Sequence, residues 1–117
     1  MRDNKLVDLS TEFAVDVIKL CDSLQSKGRA TAVISQLLKS GTSIGANIRE
    51  ANYAASRADF VNKFRISLKE CYETEYWLDI FEKSGIITNA EFSPLNEKCC
   101  KIRKLLSASI VTAEANK

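Results

Sequence analysis

The most regular pattern in this chain lies in residues 30–55, which read ATAVISQLLKSGTSIGANIREANYAA. Small and apolar residues recur there in alternating steps of four and three, at Ala30, Ile34, Leu37, Gly41, Ile44, Ile48, Ala51 and Ala55. Such steps keep side chains on one face of an α-helix and form a heptad seam against a neighbouring helix. The pattern predicts a helix from about Ala30 to Ala55, the second of the chain.

The centre of this stretch has unusually small side chains, including Gly41 and Gly45. Each glycine destabilises a helix by about 1 kcal/mol relative to alanine, so we expect a neighbouring helix to approach the backbone closely there. A kink at the glycines is the alternative. Asn47 lies among the same small residues, and a buried asparagine often fixes helix register or pairs across a subunit contact. All three residues are candidate packing or contact positions.

Apolar stripes also predict one helix before the second and one after it. The first covers about Lys5 to Leu24, with a stripe of Leu6, Leu9, Phe13, Val17, Leu20 and Leu24. Gly28 follows and suits the left-handed position after a helix. The third begins after Ser56, which as N-cap with Asp59 three residues later comes close to forming a capping box, and runs to about Lys83. Its stripe is Val61, Phe64, Leu68, Cys71 and Leu78, widened by Phe60, Tyr72, Trp77 and Phe81.

The fourth helix has two possible starts. Thr88 and Glu91 form a capping box, so the helix begins at Thr88 and bends at Pro94, or it begins at Pro94 after a short turn. Its seam continues to near Ala115 through Leu95, Cys99, Ile102, Leu106, Ser109 and Ala113. Four helices of similar length joined by short connections predict an all-α, antiparallel up-down-up-down four-helix bundle, a single domain over residues 1–117.

Composition excludes several classes of protein. The 117 residues include one proline and four glycines, which favours long helices, and the net charge of +2 is too small to require a polyanionic partner. No apolar run approaches the roughly 20 residues that span a bilayer, and no apolar stretch resembles a secretory signal. We expect a cytoplasmic protein without a membrane partner. The four cysteines are expected to be reduced core residues, since no CxxC motif is present.

One segment carries a family resemblance. Gly41 to Ala51, GTSIGANIREA, and Ser56 to Phe60, SRADF, are similar to bacterial four-helix-bundle proteins named after products of intervening sequences in large-subunit ribosomal RNA genes. Residues 67–78, SLKECYETEYWL, continue the likeness. The resemblance implies a bundle that self-associates as a ring of five. A related group, the accessory proteins of diversity-generating retroelements, works with RNA and a reverse transcriptase.

The sequence offers little catalytic chemistry. Glu50, Glu70, Glu73 and Glu75 are the tempting carboxylates, but di-iron bundles need Glu-x-x-His motifs and this chain has no histidine. Serine and cysteine nucleophiles lack a histidine base as well. We therefore expect no enzyme, no metal site and no cofactor. Glu75 continues the apolar stripe of the third helix, so it either has a basic partner or lies at an edge or subunit boundary.

Two functions remain. The first is a homo-oligomeric interaction module, because the third helix has more apolar side chains than one core-facing stripe needs. Its candidate packing and contact residues are Gly41, Gly45, Asn47, Phe60, Tyr72, Tyr76 and Trp77. The alternative is an RNA-associated protein that contacts phosphates through Lys98, Lys101, Arg103 and Lys104 on the fourth helix. Solvated helix faces commonly carry such charges without binding anything.

Overall fold

A computed structural model describes residues 4–116 as four α-helices. These are α1 (Asn4–Ser26), α2 (Thr31–Ala51), α3 (Arg57–Lys83) and α4 (Asn89–Ala115). The predicted all-α four-helix bundle is confirmed. The prediction of one domain over residues 1–117 extends to residues 1–3 and 117, which lie outside the described part of the chain.

Each helix packs antiparallel against the next one, and α4 closes the bundle against α1. The contacts show the direction: Gly41 faces Val17, whereas Gly45, one turn later in α2, faces the earlier Ser10 in α1. Within the described residues, the Cα atoms of diagonally opposite helices stay more than 8 Å apart. The result is an elongated bundle of 48 × 20 × 20 Å with one central core.

The helix ends follow local chemistry. Ser56 accepts a hydrogen bond from the backbone N–H of Asp59, and Thr88 forms the predicted capping box with Glu91. Of the two predicted starts of the fourth helix, the start at Thr88 is the observed one. Thr88 is the N-cap of α4, which begins at Asn89 and includes Pro94. Proline cannot donate to the carbonyl of Ala90, but that residue is exposed, so water can satisfy the carbonyl. Gly28 has the expected positive φ of 68°.

The second helix is shorter than predicted. It ends at Ala51, four residues before the predicted Ala55. Backbone N–H groups of Tyr53 and Ala54 bond three residues back, to Glu50 and Ala51, so the chain tightens into turns before α3. Ala55 therefore lies beyond the helix and is exposed, as is Ala30 just before its start, and the predicted seam is core from Ile34 to Ala51.

The core seams of α1 and α4 differ from the predicted stripes by one position in places. In α1 the seam runs through Ser10 and Cys21, while Leu9 and Leu20 are only half-buried. Small side chains at these two positions suit α1's approach to α2: Ser10 lies against Gly45, and the Cys21 thiol points at the Ile34 carbonyl. At the end of α4 the seam takes Ile110, and the predicted Ser109 and Ala113 are half-buried.

Hydroxyl groups occupy part of the core between α2 and α3. The Ser67 hydroxyl donates to the carbonyl of Ile44 at 2.8 Å, and the hydroxyls of Ser40 and Thr74 lie 3.0 Å apart. Every buried side-chain nitrogen or oxygen in the described residues has a hydrogen-bond partner. Small polar residues therefore let α2 and α3 pack closely without leaving an unsatisfied group.

Three of the four cysteines, Cys21, Cys71 and Cys99, are buried, and Cys100 is half-buried. Burial raises the pKa of the Cys21 thiol to about 11. All four are free thiols that fill space in or beside the core. Within residues 4–116 no helix combines the length and apolar character that a membrane crossing requires.

Candidate functional site

The glycines of α2 lie inside the protomer. A Cβ atom on Gly41 would be 3.0 Å from Val17 Cγ1, and one on Gly45 would be 3.2 Å from Ser10 Oγ. Both distances are shorter than ordinary van der Waals contact, so α1 and α2 approach each other as closely as glycine permits. The close approach is therefore between helices of one chain, and these two residues offer no surface to a partner.

Two further candidate contact residues, Phe60 and Asn47, also make contacts within the protomer. Phe60 is buried and packs on Phe64 with ring centres 4.4 Å apart. Asn47 is half-buried, and its amide nitrogen donates to the carbonyl of Ser43 in the same helix at 2.9 Å. The bond of Asn47 thus runs within α2 rather than across a helix pair.

The aromatic residues of α3 divide between core and surface. Tyr72 and Tyr76 are each 56% exposed, and Ile66 nearby is 39% exposed. Trp77 is half-buried; its ring meets Tyr76 edge-on at 4.9 Å, and its indole N–H donates to Glu73 at 3.4 Å. The outward side of α3 is therefore a mixed aromatic, aliphatic and charged surface.

This surface follows a second heptad pattern, on the side of α3 away from the core. We call it the outer seam, and it consists of Asn62, Ile66, Lys69, Glu73, Tyr76 and Ile80. Alternating steps of four and three place its members on one face of the helix. All are exposed except the half-buried Ile80. Sequence reasoning missed this seam because it counted the aromatic residues as widening the core stripe, although the spacing from Asn62 to Ile80 could have indicated it.

Glu75 lies beside the core and has a basic partner. Arg103 Nε donates to Glu75 at 2.7 Å, and the two side chains are only 24% and 21% exposed. The same guanidinium lies 5.4 Å above the ring of Tyr72, and the Cys100 thiol donates to Glu75 at 3.4 Å. Hydrogen bonding to Glu75 raises the pKa of Arg103. The group joins α3 to α4 at their shared edge, where it has a structural role.

The four candidate nucleic-acid contacts on α4 point in different directions. Lys98 turns toward α1, where it bonds to Glu12 at 2.8 Å and Asp16 at 2.6 Å, while Arg103 turns toward α3. Lys101 and Lys104 are exposed, with no ion-pair partner in residues 4–116. Only these two lysines remain available to an external anion.

Two surface grooves accompany these elements. One, of about 350 Å³, is lined by Arg57, Ala58, Val61 and Glu114 at one end of the bundle. The other, of about 160 Å³, follows the α1–α4 seam beside Lys98. Across the described residues no group of three cysteine or acidic side chains is arranged to hold a metal ion. Among the described residues, no serine or cysteine lines either groove.

Comparisons with known proteins agree with the geometry. A family model described as "23S rRNA-intervening sequence protein" matches residues 2–108. A crystal structure of a protein of unknown function from the S23 ribosomal protein family of Bacteroides thetaiotaomicron VPI-5482 superposes with a TM-score of 0.88. It is 46% identical and covers 90% of this chain and 97% of its own. No curated protein matches.

Proposed function

The chain belongs to the 23S rRNA-intervening sequence protein family, and we propose that it is a non-enzymatic interaction module that assembles with copies of itself. The resemblance identified in the sequence suggests a ring of five subunits. A cytoplasmic location is part of the same proposal.

The exposed side chains of α3 carry this proposal. Ile66, Tyr72 and Tyr76 lie outside the core and are 39%, 56% and 56% exposed, so the lone bundle leaves much of each side chain in water. Soluble monomers seldom expose contiguous apolar patches larger than a few hundred Å², and tyrosine is enriched where protein surfaces meet. A second protein surface over α3 would remove these side chains from water.

The reactive side chains support a non-enzymatic role. Glu75 is held by Arg103, and a hydrogen bond to Cys71 together with burial raises the pKa of the Cys99 thiol. A raised pKa lowers the fraction of thiolate, the form that acts as nucleophile. Burial also raises the pKa of Cys100, the cysteine nearest to solvent.

Light scattering coupled to size-exclusion chromatography tests the proposal. At micromolar concentration we expect a species several times heavier than the 13.0 kDa protomer, and five times heavier if the ring has five subunits. A 13.0 kDa species would overturn self-association. A dimer or another small number would overturn the ring of five alone.

RNA binding is the second candidate function, supported by the exposed side chains of Lys101 and Lys104 on α4. Phosphate contacts release counterions, so affinity should fall steeply as salt rises. The double variant Lys101→Gln, Lys104→Gln should weaken RNA binding and flatten its salt dependence. Failure of the parent protein to retain RNA at low salt would exclude this function.

A further inference from the structure

A second exposed seam lies on α1, and we infer that it receives the outer seam of α3 from the next copy of the chain, head to tail around a closed ring. We call this surface the α1 seam, and it consists of Asp8, Thr11, Val15, Ile18 and Asp22. Alternating steps of three and four place its members on one face of the helix, and all five are exposed. The inference rests on the proposed self-association and names the surface that α3 meets.

A ring requires two different surfaces on each copy. A rotation that closes a ring of more than two subunits brings one surface of a copy against another surface of its neighbour. The exposed side chains of α3 supply one of the two. On α1, Val15 and Ile18 are large apolar side chains that are 44% and 49% exposed. Because α1 lies diagonally opposite α3, one protomer can use both surfaces at once.

The contacts of α2 relate the heights of the two seams along the bundle. On one side of α2, Gly41 faces Val17 of α1. On the other side, the hydroxyl of Ser40 lies 3.0 Å from that of Thr74 of α3. Since consecutive helices are antiparallel, α1 and α3 run in the same direction. By this route Val15 is level with residue 71 of α3.

The contacts of α4 give the same relation independently. Lys98 bonds to Asp16 of α1, and Arg103, further along α4, bonds to Glu75 of α3. By this route Val15 is level with residue 79, and Tyr76 lies between the two levels. Copies related by rotation about an axis along the bundle do not shift in height, so Val15 can lie beside Tyr76 of the partner subunit.

The charges of the two seams match at this height. With Val15 beside Tyr76 of the partner subunit, the residues one heptad before and one heptad after them pair acid with base. The pairs are Asp8 with Lys69 of the partner subunit and Asp22 with Lys83 of the partner subunit. Both aspartates and Lys69 are exposed and form no ion pair among residues 4–116, and Lys83 binds the exposed Asp79 of its own helix. Opposite charges thus flank an apolar centre on both sides.

Both seams turn toward α2, which favours a ring over a straight filament. Thr11 of the α1 seam accepts a 2.9 Å hydrogen bond from Arg49 of α2. Lys63, three residues before Ile66 and therefore its neighbour on α3, bonds to Glu50 of α2 at 3.0 Å. The two docking directions of one protomer therefore enclose an angle below 180°, so successive head-to-tail contacts curve toward closure.

Blocking one seam at a time tests the contact. Val15→Lys disrupts the α1 seam and Tyr76→Lys disrupts the outer seam, so light scattering should show each variant alone as the 13.0 kDa protomer. In an equimolar mixture each variant still offers one intact seam. The mixture should therefore form pairs of twice the protomer mass that cannot grow further.

A matched control separates this contact from self-association in general. Val111→Lys places the same side chain at a valine that is 67% exposed and lies on α4, outside both seams. It should keep the parent mass, and circular dichroism should show all variants equally helical. A monomeric parent would overturn self-association itself. Parent mass for Val15→Lys, or a mixture with no species heavier than the protomer, would overturn the α1 seam as the receiving surface and leave self-association in place.

A charge exchange tests the pairing of Asp8 with Lys69. Asp8→Lys or Lys69→Glu alone places like charges side by side, so each should raise the protein concentration at which half of the assembly dissociates. Both changes in one chain should return that concentration to the parent value. The core separates α1 from α3 within a protomer, so recovery would report a contact between copies. A combined variant that dissociates as readily as the single ones would overturn the pairing.

Discussion

Arg103 Nε donates a 2.7 Å hydrogen bond to the carboxylate of Glu75, and this bond joins α3 to α4 at the edge of the core. Both side chains are less than one quarter exposed. If one were removed, water could therefore replace only part of the hydrogen bonding and charge stabilisation that the other would lose. The pair is therefore a structural link whose contribution can be measured.

Replacement of Arg103 by methionine should destabilise the bundle. Glu75 would remain half-buried without its cation, and the loss of a charged hydrogen bond typically lowers the free energy of unfolding by about 1–3 kcal/mol. Urea denaturation measures it. The double variant with Glu75→Gln should recover part of the loss, because no unpaired charge is then left. Equal stability of Arg103→Met and the parent would show that the pair contributes nothing.

Substitution of Gly41 should strain the contact between α1 and α2. A leucine there would collide with Val17, whose Cγ1 lies only 3.0 Å from the site of the added Cβ. Overpacking of this kind costs about 1–3 kcal/mol. The smaller change Gly41→Ala should be relieved by Val17→Ala, which removes the opposing methyl groups. Thermal melting compares the variants, and a Gly41→Leu chain that melts like the parent would contradict the packing.

Alkaline pH should weaken the fold through Cys21. Its pKa rises from an ordinary value of 9.0 to about 11 in the folded chain, so the unfolded chain loses the proton first. Stability that is fully present below pH 9 is then lost as pH rises toward 11, by at most about 1.4 kcal/mol per pH unit from this residue. Urea titrations between pH 8 and 11 measure the slope. Cys21→Ala should reduce that slope, and an unchanged slope would contradict the assignment.

Removal of the aromatic ring at Tyr76 should weaken assembly without unfolding the protomer. Tyr76→Ser deletes a ring that is 56% exposed and that meets Trp77 of its own helix edge-on. The mass measured by light scattering should therefore fall at low micromolar concentration while the melting curve of the monomer changes little. Tyr53→Ser, at a tyrosine 79% exposed before α3, is the matched control. Equal masses for both variants and the parent would remove α3 from the contact.

The sequence predicted the bundle well where large apolar residues or glycines repeat. Ile34, Leu37, Ile44 and Ile48 are all buried as the heptad pattern of α2 requires. The pattern failed where the core side chain is small or polar. Ser10 and Ser67 look like surface residues in a sequence, and only their neighbours across the helix contacts show why they are buried.

The candidate surface was harder to predict because charge partners come from distant parts of the chain. Lys98 and Lys101 look equivalent in the sequence of α4. In the structure Lys98 forms ion pairs with Glu12 and Asp16 of α1, whereas Lys101 is exposed. Helical periodicity shows which face a residue occupies but not what faces it. The same limit applies to Glu75, whose place in the apolar stripe predicts a basic partner or an edge position, while only the structure identifies Arg103 as that partner.

The order in which the helices pack has a consequence for how the chain folds. Three of the four helix contacts join consecutive helices, and only the contact between α1 and α4 brings distant segments together. Chains dominated by local contacts fold rapidly, because little loop-closure entropy is lost before each contact forms. We expect hairpins of neighbouring helices to form first, and the bonds from Lys98 to Glu12 and Asp16 to form last, when the two ends of the chain meet.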